Sequence, residues 1–253
     1  MLLERHNLEL WDLPETMGFA RHTAGPRALV DADEFITREL LREMAGIGLK
    51  IEVRDASSDA ALVRASALLR IVPSLERVVL ASVRSIVRLS SNDDQIDISH
   101  SEPRWPRVVF VSFPLTSDIG DLRLLEGIVH EAMHINLANV PSLVHEEHEE
   151  ELVYSPWRSI SRPASGVLHG AYVFGCLLRF YELLIASRTP SQQQSLYIRK
   201  REAEISAEFA KVPRRELAGG LNNYGRAISH EIFEYMTDRV SRGINPAYPF
   251  LAL

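Results

Sequence analysis

The chain has 253 residues, 46% hydrophobic and 25% charged, and its 28 basic and 34 acidic side chains leave a formal net charge of -6. That length is enough to bury a sizeable core, and the mildly acidic balance lacks the basic footprint of a nucleic-acid binder. A single cysteine, Cys176, excludes an intrachain disulfide and fits a reducing, cytoplasmic setting. Met1 to Pro14 carries Glu4, Arg5, Glu9 and Asp12 among its apolar residues, so no signal peptide is expected there. The most hydrophobic stretch, Val167 to Ile185, is interrupted by His169, Arg179 and Glu182, which predicts a buried helix rather than a membrane span.

In chain order, residues 33–49 place Phe35, Ile36, Leu40, Leu41 and Met44 at helical spacing. Ser57 or Ser58 caps a second helix running through Val72. Pro73 starts a third, carrying Leu75, Val78, Val79, Val83, Ile86 and Val87, with Arg77, Arg84 and Arg88 on its wet side. SSNDDQ reads as a turn, IDIS as a short strand, SEPRWP as a loop, and Val108 to Phe113 (VVFVSF) as the strongest strand in the chain. Thr116, Ser117 and Asp118 offer caps for a helix to about Ala138. The acidic loop 145–151 (HEEHEEE) and YSPWRSISRP precede a long apolar helix over roughly 166–188. TPSQQQ opens a helix to about Lys211, and a final helix over about 222–242 contains Ile228, Ile232, Phe233 and Met236. About seven helices and two to four short strands predict a mostly α-helical α+β fold with a small sheet. We expect a single domain over 1–253, built around a metal-binding helix pair.

The chemistry-bearing motif is His130-Glu131-Ala132-Met133-His134. Four residues is close to one helical turn, so both imidazoles leave the same face and can share one metal ion at about 2.0–2.1 Å. Glu131 lies about 100° round the helix, within reach of a metal-bound water. The flanking residues Leu124, Leu125, Ile128, Val129, Ala132, Met133, Ile135 and Leu137 are apolar, so this helix is expected to be buried. It also carries Glu126 and Glu131, and polar groups buried in that number must be satisfied.

A third ligand is needed. Glu149, Glu150 and Glu151 fall slightly early for a gluzincin. The residues after His134, INLANVP, lack the Gly and His of a metzincin. His145, His148 and His169 remain. The first two sit in a run that reads as a solvated acidic loop. His169 is favoured, because a buried helix gives rigid support and Gly166 and Gly170 beside it allow close approach. His230 is followed four residues later by Glu234, so no second HExxH exists, and His6 and His22 carry no partner signal.

HEAMHINL followed by YSPWRSISRPASGVLHGAYVF resembles the HExxH-motif domain found near ribosomal peptide natural-product clusters, whose members carry HE..H..L and then aPWR.d.RP..GvlHG.yaF. SHSEPRWPRVVFVSF is similar to that family's Ser-containing loop and strand ahead of the metal helix. The resemblance covers about residues 90–180 well and the flanks only loosely. The family is described as 2-oxoglutarate-dependent peptide β-hydroxylases. The resemblance therefore implies Fe(II), 2-oxoglutarate and O2, with a ribosomally made precursor peptide as substrate and room for a leader-peptide-binding partner. By position it implies His130, His134 and His169 as iron ligands, with Glu131 ligating, orienting a ligand or managing protons. This ligand set departs from the usual two-His, one-carboxylate triad.

Other residues suit that chemistry. Oxoglutarate needs a cationic fork for its distal carboxylate, and Arg158 or Arg162 supplies one, the alternative for each being an ordinary loop ion pair. Ser99 and Ser101 are candidates to hydrogen-bond cosubstrate or peptide. Trp157 and Tyr172 are candidates to line the substrate pocket, with core packing as the alternative. Cys176 reads as a small buried hydrophobe. Two further functions stay in view: a zinc metallopeptidase with Glu131 as general base, and a non-catalytic peptide-binding domain.

Overall fold

The computed structural model describes residues 9–17, 36–52, 56–91, 93, 96–114, 119–140 and 142–242. Phe35, the caps Thr116, Ser117 and Asp118, and His6 and His22 lie outside them. The fold is mostly helical with a small three-stranded sheet, as the sequence predicts, and a separate two-stranded sheet that it does not. Two compact units make it up, one from residues 1–19, 137–181 and 195–253 and the other from 20–136 and 182–194. Neither is a continuous stretch of chain, so the sequence is not cut into consecutive domains.

In the unit containing 20–136, α1 (Arg38–Gly46) is capped by the Thr37 hydroxyl, which accepts from the Leu40 N–H at 3.1 Å. Next come α2 (Ala56–Leu69) and α3 (Pro73–Ser82). The third helix does not run on through Val87, as its apolar spacing suggests. Val83 turns extended, with φ -106° and ψ 123°, and Ser85–Leu89 forms β1. The spacing of Val83, Ile86 and Val87 fits a helix, but β-branched residues buried on both faces fit a strand better. Arg88 is consequently not on a wet helix face; its Nε lies 2.9 Å from a Glu52 carboxylate oxygen.

β2 (Ser99–Ser101) and β3 (Val108–Ser112) complete a sheet in the order β1-β3-β2. β1 runs parallel to β3, pairing Ser85 with Val108, and β2 runs antiparallel, pairing Ser99 with Val111 and Ser101 with Val109. β3 is buried along its whole length, as a strand covered on both faces must be. One face carries Val87, Leu89, Val108 and Phe110 against Leu40 and Met44 of α1. The other face meets α4 (Gly120–Leu137): a Cβ added at Gly127 would lie 3.4 Å from Val111 Cγ1 and 3.7 Å from Ser99 Cβ. The HExxH helix thus lies on the sheet face that Ser99, Ser101, Val109 and Val111 present.

In the other unit, Leu10, Trp11 and Leu13 are buried, and Arg179 grips Glu9 through Nε at 2.6 Å and a second nitrogen at 3.0 Å. YSPWRSISRP, for which the sequence predicts no strand, forms a hairpin. β4 (Leu152–Ser155) pairs antiparallel with β5 (Ile160–Pro163) around the four residues 156–159, with Ser159 left-handed at φ 54°. The prolines hid it, yet Pro156 sits in the turn and Pro163 at the strand end, where no ladder donor is required. α5 (Ala164–Ser187), α6 (Gln192–Phe209) and α8 (Asn223–Ser241) match the expected helices, and α7 (Arg214–Gly220) is an addition. The Asn222 side chain caps α8 by accepting from the Gly225 N–H at 3.0 Å. α5 is long and apolar enough to cross a membrane by length and composition, but Val167, Leu168, Ala171, Tyr172 and Cys176 along it are core residues.

Candidate metal centre

His130 and His134 stand one turn apart on α4, as their spacing predicts, with ring centroids 4.9 Å apart and planes 68° to each other. Glu131 is 5% exposed, and its Oε1 lies 4.0 Å from His130 Nε2. One helical turn therefore presents two imidazoles and a carboxylate, a nitrogen and oxygen donor set suited to zinc or to iron(II). Among the described residues, no three His, Cys, Asp or Glu side chains converge as a metal-holding group.

Ser99 and Ser101 face this turn because residues two apart in a strand share a face. The Ser99 hydroxyl donates to Glu131 Oε1 at 2.7 Å, and the Ser101 hydroxyl donates to Oε2 at 2.6 Å. An ionised carboxylate only accepts, and each hydroxyl has one proton to give. Both serine protons are committed to Glu131, so neither hydroxyl has one left for a carboxylate of oxoglutarate. This moves Ser99 and Ser101 from cosubstrate binding to holding Glu131. A hydrogen bond to a charged group contributes about 1.5–3 kcal/mol, enough to settle a carboxylate that burial would otherwise penalise.

The same strand segment is anchored one step earlier. Asp97 pairs with Arg123, whose Nε donates to Oδ2 at 2.9 Å and whose terminal nitrogen lies 2.9 Å from Oδ1 as an ion pair, with Arg123 only 6% exposed. Asp97, Ser99 and Ser101 recur every second residue, about 6.6–6.8 Å of strand. Arg123, Gly127 and Glu131 recur every fourth, about 6.0 Å of helix. The repeats nearly match, so strand and helix run in register, with a glycine at the middle step where Ser99 comes close. The residue pattern D-I-S-H-S was a legible signal for this, since its alternate polar residues sit on one face. His100, between them, faces the other way, 6.1 Å from the Phe110 ring, and is half-buried.

His169 lies in the first turns of α5, half-buried, and its pKa is lowered to about 4, first by burial and then by the Arg162 guanidinium. The imidazole is therefore neutral at physiological pH, the form that can offer a lone pair. Gly166 and Gly170 bracket it for a reason the structure makes specific. A Cβ at 166 would sit 3.3 Å from Arg162 Cζ, and one at 170 would sit 2.8 Å from Trp157 Cε3. The glycines let the hairpin lay a guanidinium and an indole directly on α5.

The two arginines separate. Arg162 is half-buried beside His169, and no carboxylate among the described residues pairs with it. Arg158 is exposed on the hairpin turn. Trp157 stacks on Phe174 at 5.6 Å and 17° and meets Phe209 edge-on at 5.5 Å, so its ring is chiefly a packing element. Tyr172 is 0% exposed and hydrogen-bonds Cys176, which places it in the core rather than against a substrate. His145 and His148 sit on the acidic loop, His148 Nδ1 being 2.8 Å from Glu151, and His230 is exposed.

The chain matches no protein-family model and no curated protein.

Proposed function

We propose that the chain is a non-haem Fe(II)- and 2-oxoglutarate-dependent oxygenase that hydroxylates the β-carbon of a residue in a ribosomally synthesised precursor peptide, acting in the cytoplasm. The observation that carries this reading is Arg162: a half-buried guanidinium beside a neutral His169, with no carboxylate partner among the described residues. A cation kept partly out of water without an anion calls for one, and a planar fork suits a ligand carboxylate. His130 and His134 would hold the iron, with His169 as the third ligand that the motif resemblance implies. Iron, oxoglutarate and O2 would together supply the oxidising power that replaces a β-hydrogen by hydroxyl while oxoglutarate leaves as succinate and CO2.

The chain's own residues do the rest. Arg162 orients oxoglutarate by its distal carboxylate. Arg158, on the exposed turn, is free to meet the peptide. Glu131 stays still, because both its oxygens accept serine protons. That favours oxygenation over zinc peptidase chemistry, in which the HExxH glutamate must take a proton from water and pass it on.

The test is anaerobic reconstitution with Fe(II) and oxoglutarate, admission of O2, and mass spectrometry on the peptide encoded beside this gene. One added oxygen per peptide with matching succinate is the expected result, lost in His130→Ala and His134→Ala. An unmodified peptide with no succinate would overturn the proposal, and a shortened peptide with zinc would establish the hydrolase.

A further inference from the structure

We propose that Ser99 and Ser101 are positioning residues that act through Glu131, locking its carboxylate beside His130 so that a divalent cation on the HExxH histidines meets a fixed carboxylate. The inference rests on the metal-binding part of the proposed function. It needs neither the oxoglutarate nor the peptide assignment.

Three observations carry it. The two hydroxyls occupy the two different oxygens of one carboxylate, at 2.7 and 2.6 Å, which fixes both the rotamer and the plane of the group. The locked Oε1 is the oxygen nearest His130 Nε2, at 4.0 Å. The strand that carries the hydroxyls is itself pinned to the same helix by the Arg123–Asp97 pair. A glutamate that had only to fill space would need none of this, and one that had to swing as a proton carrier would be hindered by it. The arrangement is that of an outer partner holding a group at a metal site, where loss of such a partner typically weakens metal binding about 10–100-fold.

The experiment is a Co(II) titration of the metal-stripped full chain, read by visible absorption. It runs on wild type, Ser99→Ala with Ser101→Ala, Glu131→Gln, and all three changes together. The double serine variant should lose Co(II) affinity about 10–100-fold. The triple variant should be no weaker than Glu131→Gln alone, because serines that act through Glu131 have nothing to act on once it is changed. Ser99→Thr with Ser101→Thr keeps both hydroxyls and should restore affinity. Ser112→Ala is the structural control: its hydroxyl accepts the Ile98 N–H at 2.9 Å in the same sheet, and its loss should leave Co(II) binding unchanged. If the double variant does not fold, the single serine variants carry the same comparison. Unchanged affinity in the serine variants, or losses that add in the triple variant, would overturn the positioning role alone. A wild-type chain that takes up no Co(II) would overturn the metal reading, and this inference with it.

Discussion

A hydroxyl has one proton, and at Ser99 and Ser101 that proton decides the role. Sequence chemistry allows a serine beside the HExxH helix to touch cosubstrate, peptide or protein. Distances of 2.7 and 2.6 Å to Glu131 leave only acceptor capacity for anything else. A similar selection separates the two arginines of the hairpin. Arg162→Gln should raise the KM for oxoglutarate at least about tenfold, since a charge-assisted bond contributes about 1.5–3 kcal/mol, with kcat little changed. Arg158→Gln should leave that KM alone, and initial-rate kinetics over a range of oxoglutarate distinguishes the two. Cys176 makes a third residue-scale prediction. Burial pushes its thiol well above the ordinary value of 9.0. At pH 9.0 the native thiol should therefore leave a disulfide reagent unconsumed, while the denatured chain reacts. The sign follows: the unfolded chain releases this proton near pH 9.0 and the folded chain keeps it. This group's contribution to stability is present below that pH and is lost as pH climbs toward the raised folded value.

At the scale of elements, two close approaches organise the sites. On α4 the i, i+4, i+8 row of Arg123, Gly127 and Glu131 meets the alternate residues Asp97, Ser99 and Ser101. Asp97→Ala would leave the 6%-exposed Arg123 without this partner and should cost about 1.5–3 kcal/mol, seen as a lowered Tm. On α5, Gly170 admits the Trp157 ring, and Gly170→Ala drives a Cβ to 2.8 Å from an aromatic carbon. Overpacking of this kind costs about 1–3 kcal/mol, and Trp157→Leu in the same chain should recover part of the loss in a thermal melt. An unchanged Tm in Gly170→Ala would mean that the indole does not rest on the helix.

Across the whole molecule, each of the two compact units supports its own set of these residues. The unit containing the HExxH helix is a sheet covered by α1 and α4 on opposite faces. The unit containing the PWR hairpin is mostly helical and buries Arg239, 1% exposed, with Glu202 at 3.0 Å and the Tyr235 hydroxyl at 3.2 Å. Arg239→Ala should destabilise that unit by about 3–5 kcal/mol, read as faster amide exchange in α6 and α8.

The sequence by itself determined what depends on nearest neighbours along the chain. Helical spacing puts His130 and His134 on one face, β-branched bulk makes Val108–Ser112 a strand, Asn222 starts the last helix, and the apolar run around Cys176 buries it. Only the tertiary structure decided what depends on partners far away in the chain. Ser85–Leu89 is a strand because β3, some twenty residues on, supplies its ladder. Ser99 and Ser101 serve Glu131 because the sheet lies under α4, and Arg162 rather than Arg158 reaches His169 because the hairpin folds onto two glycines of α5. Local pattern sets which face a side chain takes, whereas its chemical role follows from what the fold brings opposite that face.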